Sequence, residues 1–282
     1  MLKQRVITAL VLLAILLPAL FYPAPQPFVA VVLVLIAAGG WEWGRLNGCS
    51  GVASWALGAA CLALCSASWA LGWLAQPLPV LWAVSGATWV LGGAWLLRAG
   101  VAGWPGIPRP VRLVGGLLAL WLAWLAVAQA RVVGINFLLS LLLLVWVADI
   151  FAYFAGRAFG RRKLAPGISP GKSWEGVWGG MAGVVVLAFA WVAADAQFQA
   201  TVPSLYTRLA GAGAGGWLVL LAALFLAAMS VVGDLVESLI KRSAGAKDSS
   251  GLLPGHGGVL DRVDALLPTL PLAMMLAALV SR

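Results

Sequence analysis

Charge is what this sequence has least of: its 282 residues include 18 Lys plus Arg, nine Asp plus Glu and one histidine, so 10% are charged. Soluble domains run near 25% charged, which excludes a water-facing surface built around one core. Cysteine is also scarce. Cys49, Cys61 and Cys65 lie in apolar surroundings with no CxxC pair and no neighbouring His, Asp or Glu, so they read as small helix residues and not as a metal or disulfide framework. The basic residues are scattered between apolar runs, so the net charge of +9 suits anionic headgroups or phosphates and gives no nucleic-acid face.

Apolar sequence fills the space that charge leaves: 63% of residues are hydrophobic and the mean hydropathy is +1.01. A span needs about 20 apolar residues to cross roughly 30 Å of hydrocarbon. Val6 to Trp41, broken by Pro23, Pro25 and Pro27, supplies two, and Leu46 to Leu97, broken at Gln76-Pro77-Leu78-Pro79, supplies two more. Leu113–Ala130, Val132–Ala148, Gly176–Ala194, Leu209–Gly233 and Ala265–Ser281 supply one each. The first run resembles a secretory signal, with Lys3 and Arg5 ahead of it, but eight more spans follow, so it is expected to remain as a helix. The expected fold is all-α, a polytopic integral membrane protein of about nine transmembrane helices. Residues 1–130 form an N-terminal bundle of about five, and residues 131–282 form a catalytic region of about four helices and two motif loops.

Numbering the loops alternately puts Arg131, Arg208 and Arg282 on one side and every other Lys and Arg on the other. The positive-inside rule then sets the N-terminus in the cytoplasm and the C-terminus across the membrane. The 16 tryptophans, many near span ends, suit the headgroup boundary. Of the carboxylates, Asp195 stands alone outside, and Glu42 ends the second span with Arg45 as a local partner, so both are expected at the surface. The other seven gather in or beside two cytoplasmic loops. A carboxylate at that depth must be paired, hydrated or bound to a cation, so the clusters predict a polar active-site cavity open to the cytoplasm.

The first cluster runs from Asp149 and Tyr153, which share a helix face at i and i+4, through Arg157, Arg161, Arg162 and Lys163 to Ser169-Pro170-Gly171-Lys172-Ser173-Trp174-Glu175-Gly176. Its basic Gly- and Pro-rich loop suits phosphate, held by backbone NH and cationic side chains. Gly167 to Ser173 imitates a P-loop, but only three residues separate the glycines where four are needed. The second cluster is denser: Asp234, Glu237, Ser238, Lys241, Arg242, Lys247, Asp248, His256, Gly257, Gly258, Asp261, Arg262 and Asp264. Asp261 and Asp264, at i and i+3, can point into one site. Such hard oxygen ligands suit Mg²⁺, commonly held by one or two carboxylates plus substrate phosphates. Lys241, Arg242, Lys247 and Arg262 would neutralise phosphate oxygens, so the chemistry expected is phosphoryl or nucleotidyl transfer.

From Ser238 to Asp264 the sequence resembles the signature of the phosphatidate cytidylyltransferase (CDP-diacylglycerol synthase) family: S-x-x-K-R, four residues, K-D, then P-x-H-G-G-x-x-D-R-x-D. All fixed positions are present at the expected spacing. Asp149, Tyr153 and the stretch from Ser169 to Gly176 resemble that family's upstream region, whereas residues before about Arg131 match only in being hydrophobic. The resemblance implies transfer of the cytidylyl group of CTP to phosphatidate, giving CDP-diacylglycerol and pyrophosphate, in the bacterial inner membrane. It implies Mg²⁺, one ion or two, with Asp234 and Asp261 as leading ligands, supported by Asp264 and Asp248. Asp149, Tyr153, Ser169, Lys172, Ser173, Glu175, Ser238, Gly257 and Gly258 would contact substrate, and the two glycines would let backbone approach phosphate.

His256 invites the role of general base, but a phosphate monoester has a second pKa of about 6. The nucleophile has no essential proton to lose, so His256 is expected to position phosphate or shape its loop. Glu237 is expected to pair with Arg242 or Lys241. Gly176-x-x-x-Gly180 and Gly179-x-x-x-Gly183 read as packing stripes, within the bundle or at a homodimer seam. The Gly211 to Gly216 run reads as a loop or helix start without a catalytic role. Two rival readings remain: a cation-coupled transporter, which would spread its carboxylates through the bilayer depth, and another CTP-dependent lipid or polyprenol phosphotransferase using the same groups.

Overall fold

The structure is a computed structural model that describes residues 2–213 and 215–280. Among them are nine helices long and apolar enough to cross a membrane. In chain order the elements are α1 (Leu2–Phe21), α2 (Gln26–Leu46), α3 (Val52–Ala70), α4 (Pro79–Gly103), α5 (Arg109–Val133), α6 (Ile135–Phe159), β1 (Lys163–Ala165), β2 (Ser169–Ser173), α7 (Trp174–Gln197), α8 (Leu205–Ala210), α9 (Gly216–Ser243), α10 (Leu260–Val263) and α11 (Leu266–Val280). The short α10 and α11 together make the ninth crossing, Leu260–Val280. Part of the Gly211 to Gly216 run, Ala214, lies outside the described residues, as do Ser281 and Arg282.

Proline places several of the breaks. Pro25 precedes α2 and Pro79 opens α4, positions where the missing NH has no helical partner to lose. Two helices run well past the apolar windows: α6 continues through Asp149, Tyr153 and Arg157, and α9 through Asp234, Ser238 and Arg242. Charge ends the hydrophobic run without ending the helix. Between α6 and α7 the chain also departs from the expected all-helical fold. Here β1 and β2 pair antiparallel, Lys163 opposite Ser173 and Ala165 opposite Ser169.

Many large apolar side chains on the outer faces are exposed, among them Val6, Ile7 and Leu10 of α1 and Val84 and Leu91 of α4, as lipid contact requires. In such surroundings helices associate through close packing of small residues and polar contacts, since lipid is as apolar as leucine. The stripes on α7 are used this way against α6: a Cβ on Gly179 would lie 2.2 Å from Ala155 Cβ, and one on Gly183 would lie 2.5 Å from Phe151 Cγ. Both stripes therefore belong to the interior of the bundle.

Polar contacts gather the loops at two ends. At one, Thr8 Oγ1 donates to the Pro254 carbonyl at 2.9 Å, Trp43 Nε1 to the Arg112 carbonyl at 3.1 Å, and Arg109 Nη2 to Cys49 Sγ at 3.1 Å. At the other, Arg131 reaches the carbonyls of Leu20 and Tyr22, and Gln129 those of Trp73 and Gln76. Asn136 there bonds Asp195 and the Val202 carbonyl. Burial pushes the pKa of Tyr206, at this second end, upward. All the motif residues lie at the first end, and α11 packs against α4, α5 and α9, so helices from both halves of the chain enclose it.

Candidate active site

A cavity of about 370 Å³ opens between α6, α7, α9 and β2. Asp149, Tyr153, Arg157, Lys172, Ser173 and Asp234 line it. Asp149 and Tyr153 come from one face of α6, as their spacing predicts, and Tyr153 Oη accepts a hydrogen bond from Arg157 Nη1 at 3.1 Å. The hairpin delivers Lys172 from the other side. Its Nζ forms an ion pair with Asp234, joining the two sequence clusters. Ser238 Oγ, one turn along α9, donates to the other oxygen of Asp234 at 3.3 Å.

Three predicted substrate residues have local structural duties in the hairpin. Ser173 caps α7, its Oγ accepting from Gly176 N at 3.2 Å. Glu175 in the first turn of α7 accepts from the backbone NH groups of Arg161 and Arg162, at 3.0 and 3.2 Å. Ser169 holds the hairpin register opposite Ala165.

Beside the cavity, Lys241 sits between two carboxylates. It pairs with buried Glu237, as one of the two partners expected for that residue, and its Nζ lies 2.6 Å from Asp261 Oδ1. Asp261 Oδ2 accepts from Ser249 N at 2.9 Å, Ser249 Oγ at 2.9 Å and Gly258 N at 2.7 Å. Asp261 is thus fully engaged by protein donors. Asp264 accepts from Ala265 N at 2.8 Å and lies within electrostatic range of Asp234, Lys172 and Lys241. That closeness depends on Gly233, where a Cβ would meet the Asp264 carbonyl at 2.4 Å.

The loop between α9 and α10 differs in detail from the reading of free phosphate-binding groups. Arg262 Nε and Nη2 donate to the His256 carbonyl at 3.0 and 2.7 Å, so this arginine holds the loop closed. The His256 Nδ1 is buried and has no hydrogen-bond partner among the described residues. Arg242 donates to the Ala246 carbonyl at 3.4 Å, while Lys247 and Asp248 are exposed. What Gly257 and Gly258 approach closely is carboxylate. A Cβ on Gly257 would lie 2.5 Å from Asp261 Oδ2, and one on Gly258 would lie 2.3 Å from Glu42 Oε1.

Glu42 and Asp195, both expected at the surface, are buried. Glu42 is fully enclosed and accepts from Ser249 Oγ, Ser250 Oγ, Val259 N and Leu260 N, at 3.2, 2.5, 2.9 and 2.8 Å. Arg45, its expected partner, stacks over Trp41 instead. Asp195 accepts from Asn136 Nδ2, Ser204 N and Thr207 Oγ1, at 2.8, 2.9 and 2.6 Å. A carboxylate can be buried without a cation when neutral donors saturate it. The donors to Glu42 lie more than two hundred residues away, and those to Asp195 are neutral groups beyond its own helix, so local charge patterning signals neither.

As a class, the chain is a multi-pass membrane protein with a carboxylate and lysine cluster at one end of its helices. Its sequence matches the model of the cytidylyltransferase family over residues 3–280. It is 41% identical over 278 residues to the phosphatidate cytidylyltransferase of Pseudomonas aeruginosa, covering 96% of this chain and 95% of that protein. The phosphatidate cytidylyltransferase of Haemophilus influenzae is 51% identical over 138 residues, 49% of this chain and 44% of that protein. That of Bacillus subtilis is 41% identical over 148 residues, 52% of this chain and 49% of that protein. The chain belongs to the cytidylyltransferase family and is an enzyme, a nucleotidyltransferase.

Proposed function

We propose that the protein transfers the cytidylyl group of CTP to phosphatidate, giving CDP-diacylglycerol and pyrophosphate, at the motif end of the bundle. The observation that carries this is the Lys172–Asp234 ion pair, which brings a basic hairpin and the carboxylate face of α9 to one cavity. Two polyanions must meet there, and cations on both walls lower the cost of that encounter. The phosphate monoester oxygen of phosphatidate attacks the α-phosphorus of CTP, and the bond from that phosphorus to the oxygen bridging to the β-phosphate breaks. Pyrophosphate leaves with the electron pair. Lys172, Lys241 and, once turned from its carbonyl partner, Arg262 would take up the negative charge, and Asp149 and Tyr153 would orient the substrate across the cavity.

The donor set fits Mg²⁺. Asp234 and Asp264 supply hard oxygens on facing helices, and Asp261 would join them by exchanging its contact with Lys241. Among the described residues no three His, Cys, Asp or Glu side chains are gathered to hold a metal, so substrate phosphates would have to complete the shell of an ion held by Asp234 and Asp264. Bound there, the metal would neutralise charge on the transferring phosphates. The bias of basic residues towards this end argues that it faces the cytoplasm, and the bacterial relatives argue for the inner membrane. The test is to incubate purified protein with labelled CTP, Mg²⁺ and phosphatidate. A CDP-lipid and pyrophosphate are expected, and folded protein that makes neither overturns the proposal. Product from a polyprenol in place of phosphatidate would favour the rival lipid phosphotransferase.

A further inference from the structure

Glu42 lies on α2, more than two hundred residues before the loop that its carboxylate holds. Its two oxygens take four donors from that loop: the hydroxyls of Ser249 and Ser250 and the backbone NH groups of Val259 and Leu260. The last two open α10, where the first NH groups of a helix lack partners within it. Glu42 therefore caps from a distant helix the turn that carries Asp261 and Arg262. The Ser249 hydroxyl lies 3.2 Å from Glu42 and 2.9 Å from Asp261. With one hydrogen to give, it can serve only one of them at a time, so the two carboxylates share it and are joined in one network. Space is equally committed, since a Cβ on Gly258 would lie 2.1 Å from Ser249 Oγ and 2.3 Å from Glu42 Oε1. None of the three ion pairs among the described residues includes Glu42, so its charge rests wholly on the loop's donors.

We propose that Glu42 is a positioning residue for the transfer reaction: it fixes the loop from Ser249 to Leu260 so that Asp261 and Arg262 stand at the catalytic cluster. Its role needs acceptors on both oxygens. Glutamine has the same shape, but its NH₂ would face donors of the loop, so Glu42→Gln separates the acceptor role from mere filling of space. A packing role predicts that Gln behaves as Glu and that Ala does not.

The kinetic half of the test rests on the proposed cytidylyl transfer, whereas the exchange half stands without it. In full-length purified protein, hydrogen exchange would be followed for the peptide covering residues 249–260, with residues 195–208 at the opposite end as an internal control. Glu42→Gln should speed exchange of the loop amides about tenfold or more while leaving the control unchanged. It should lower kcat about tenfold or more with KM for CTP within about twofold, and Glu42→Ala should do the same. Wild-type exchange and kcat in Glu42→Gln would overturn the proposal, as would a loosened loop with kcat unchanged. Faster loop exchange in a protein whose wild type makes no CDP-lipid would sink the reaction assignment and leave the tether standing.

Discussion

Glu42 and Asp195 are similar objects at opposite ends of the bundle. Each is a buried carboxylate saturated by neutral donors, absent from the three ion pairs among the described residues. Asp195 joins the start of α6 to the first turn of α8, through Asn136, Ser204 and Thr207, and no other carboxylate stands near it in the chain. Glu42 joins α2 to a loop whose other anchor is Asp261, next to Lys241, Glu237 and Asp264. The local chemistry is shared and the setting differs. One network ends in itself, and the other leads to unspent charge, so carboxylate-to-amide changes should read as stability at one end and as rate at the other.

The largest effect is expected where charge is meant to act. Asp234→Asn removes the partner of Lys172 at the centre of the cavity, and should lower the rate of CDP-lipid formation by about 10²–10³-fold, the scale for removing one group that answers developing charge. A thermal unfolding midpoint in detergent close to wild type would accompany it. Near-normal turnover in this variant would break the division between the two ends.

Gly258→Ala comes next. The added methyl would stand within 2.1 Å of Ser249 Oγ and 2.3 Å of Glu42 Oε1, so the loop must shift, and with it Asp261. Turnover should fall about tenfold or more, while Gly167→Ala, a site with no heavy atom near its Cβ, should stay close to wild type in the same assay. Equal behaviour of the two would show that loop position does not limit the reaction.

The division of the sequence into spans was legible because bilayer thickness sets a length and hydropathy measures it; seven apolar windows, two of them split by proline, predict nine spans, and the described residues hold nine such helices. The motif charges were legible for a related reason, since carboxylates beside apolar helix ends need a purpose. Helix ends were not, because Asp149 and Asp234 interrupt hydrophobicity while leaving backbone hydrogen bonding intact, and α6 and α9 run on through them. Glu42 was misread because Arg45 stands one turn away and local charge patterning assigns the pair. Its actual partners are neutral, and some are backbone NH groups, which no residue pattern reveals. The hairpin from Lys163 to Ser173 was hidden in a segment whose Gly and Pro content announces only a loop.

A smaller and different effect is expected from Asp195→Asn. The amide keeps one acceptor, but its NH₂ would face either Ser204 N and the Thr207 hydroxyl, in place of Oδ2, or Asn136 Nδ2, in place of Oδ1, so a buried donor is left unpaired, which costs about 1–3 kcal/mol. The unfolding midpoint should fall while turnover per folded molecule stays within about twofold. A rate loss comparable to that of Asp234→Asn would show that the far end is coupled to the chemistry, and the contrast with Glu42 would disappear.

The smallest effect is expected at the one histidine. Among the described residues, the hydrogen bonds at His256 belong to its main chain: the carbonyl accepts from Nε and Nη2 of Arg262, and the NH donates to the Leu253 carbonyl at 2.8 Å. Alanine keeps both. The ring contributes a buried Nδ1 without a partner among the described residues, and in the proposed reaction the attacking phosphate monoester is already largely dianionic near neutrality, so a base would have nothing to remove. His256→Ala should therefore lose less than about tenfold in kcat and keep the pH dependence of the wild type between pH 6 and 8. A loss matching Asp234→Asn, with the loop's exchange unchanged, would give the imidazole a direct role at the reacting phosphates and place a second chemical centre in the loop that Glu42 holds.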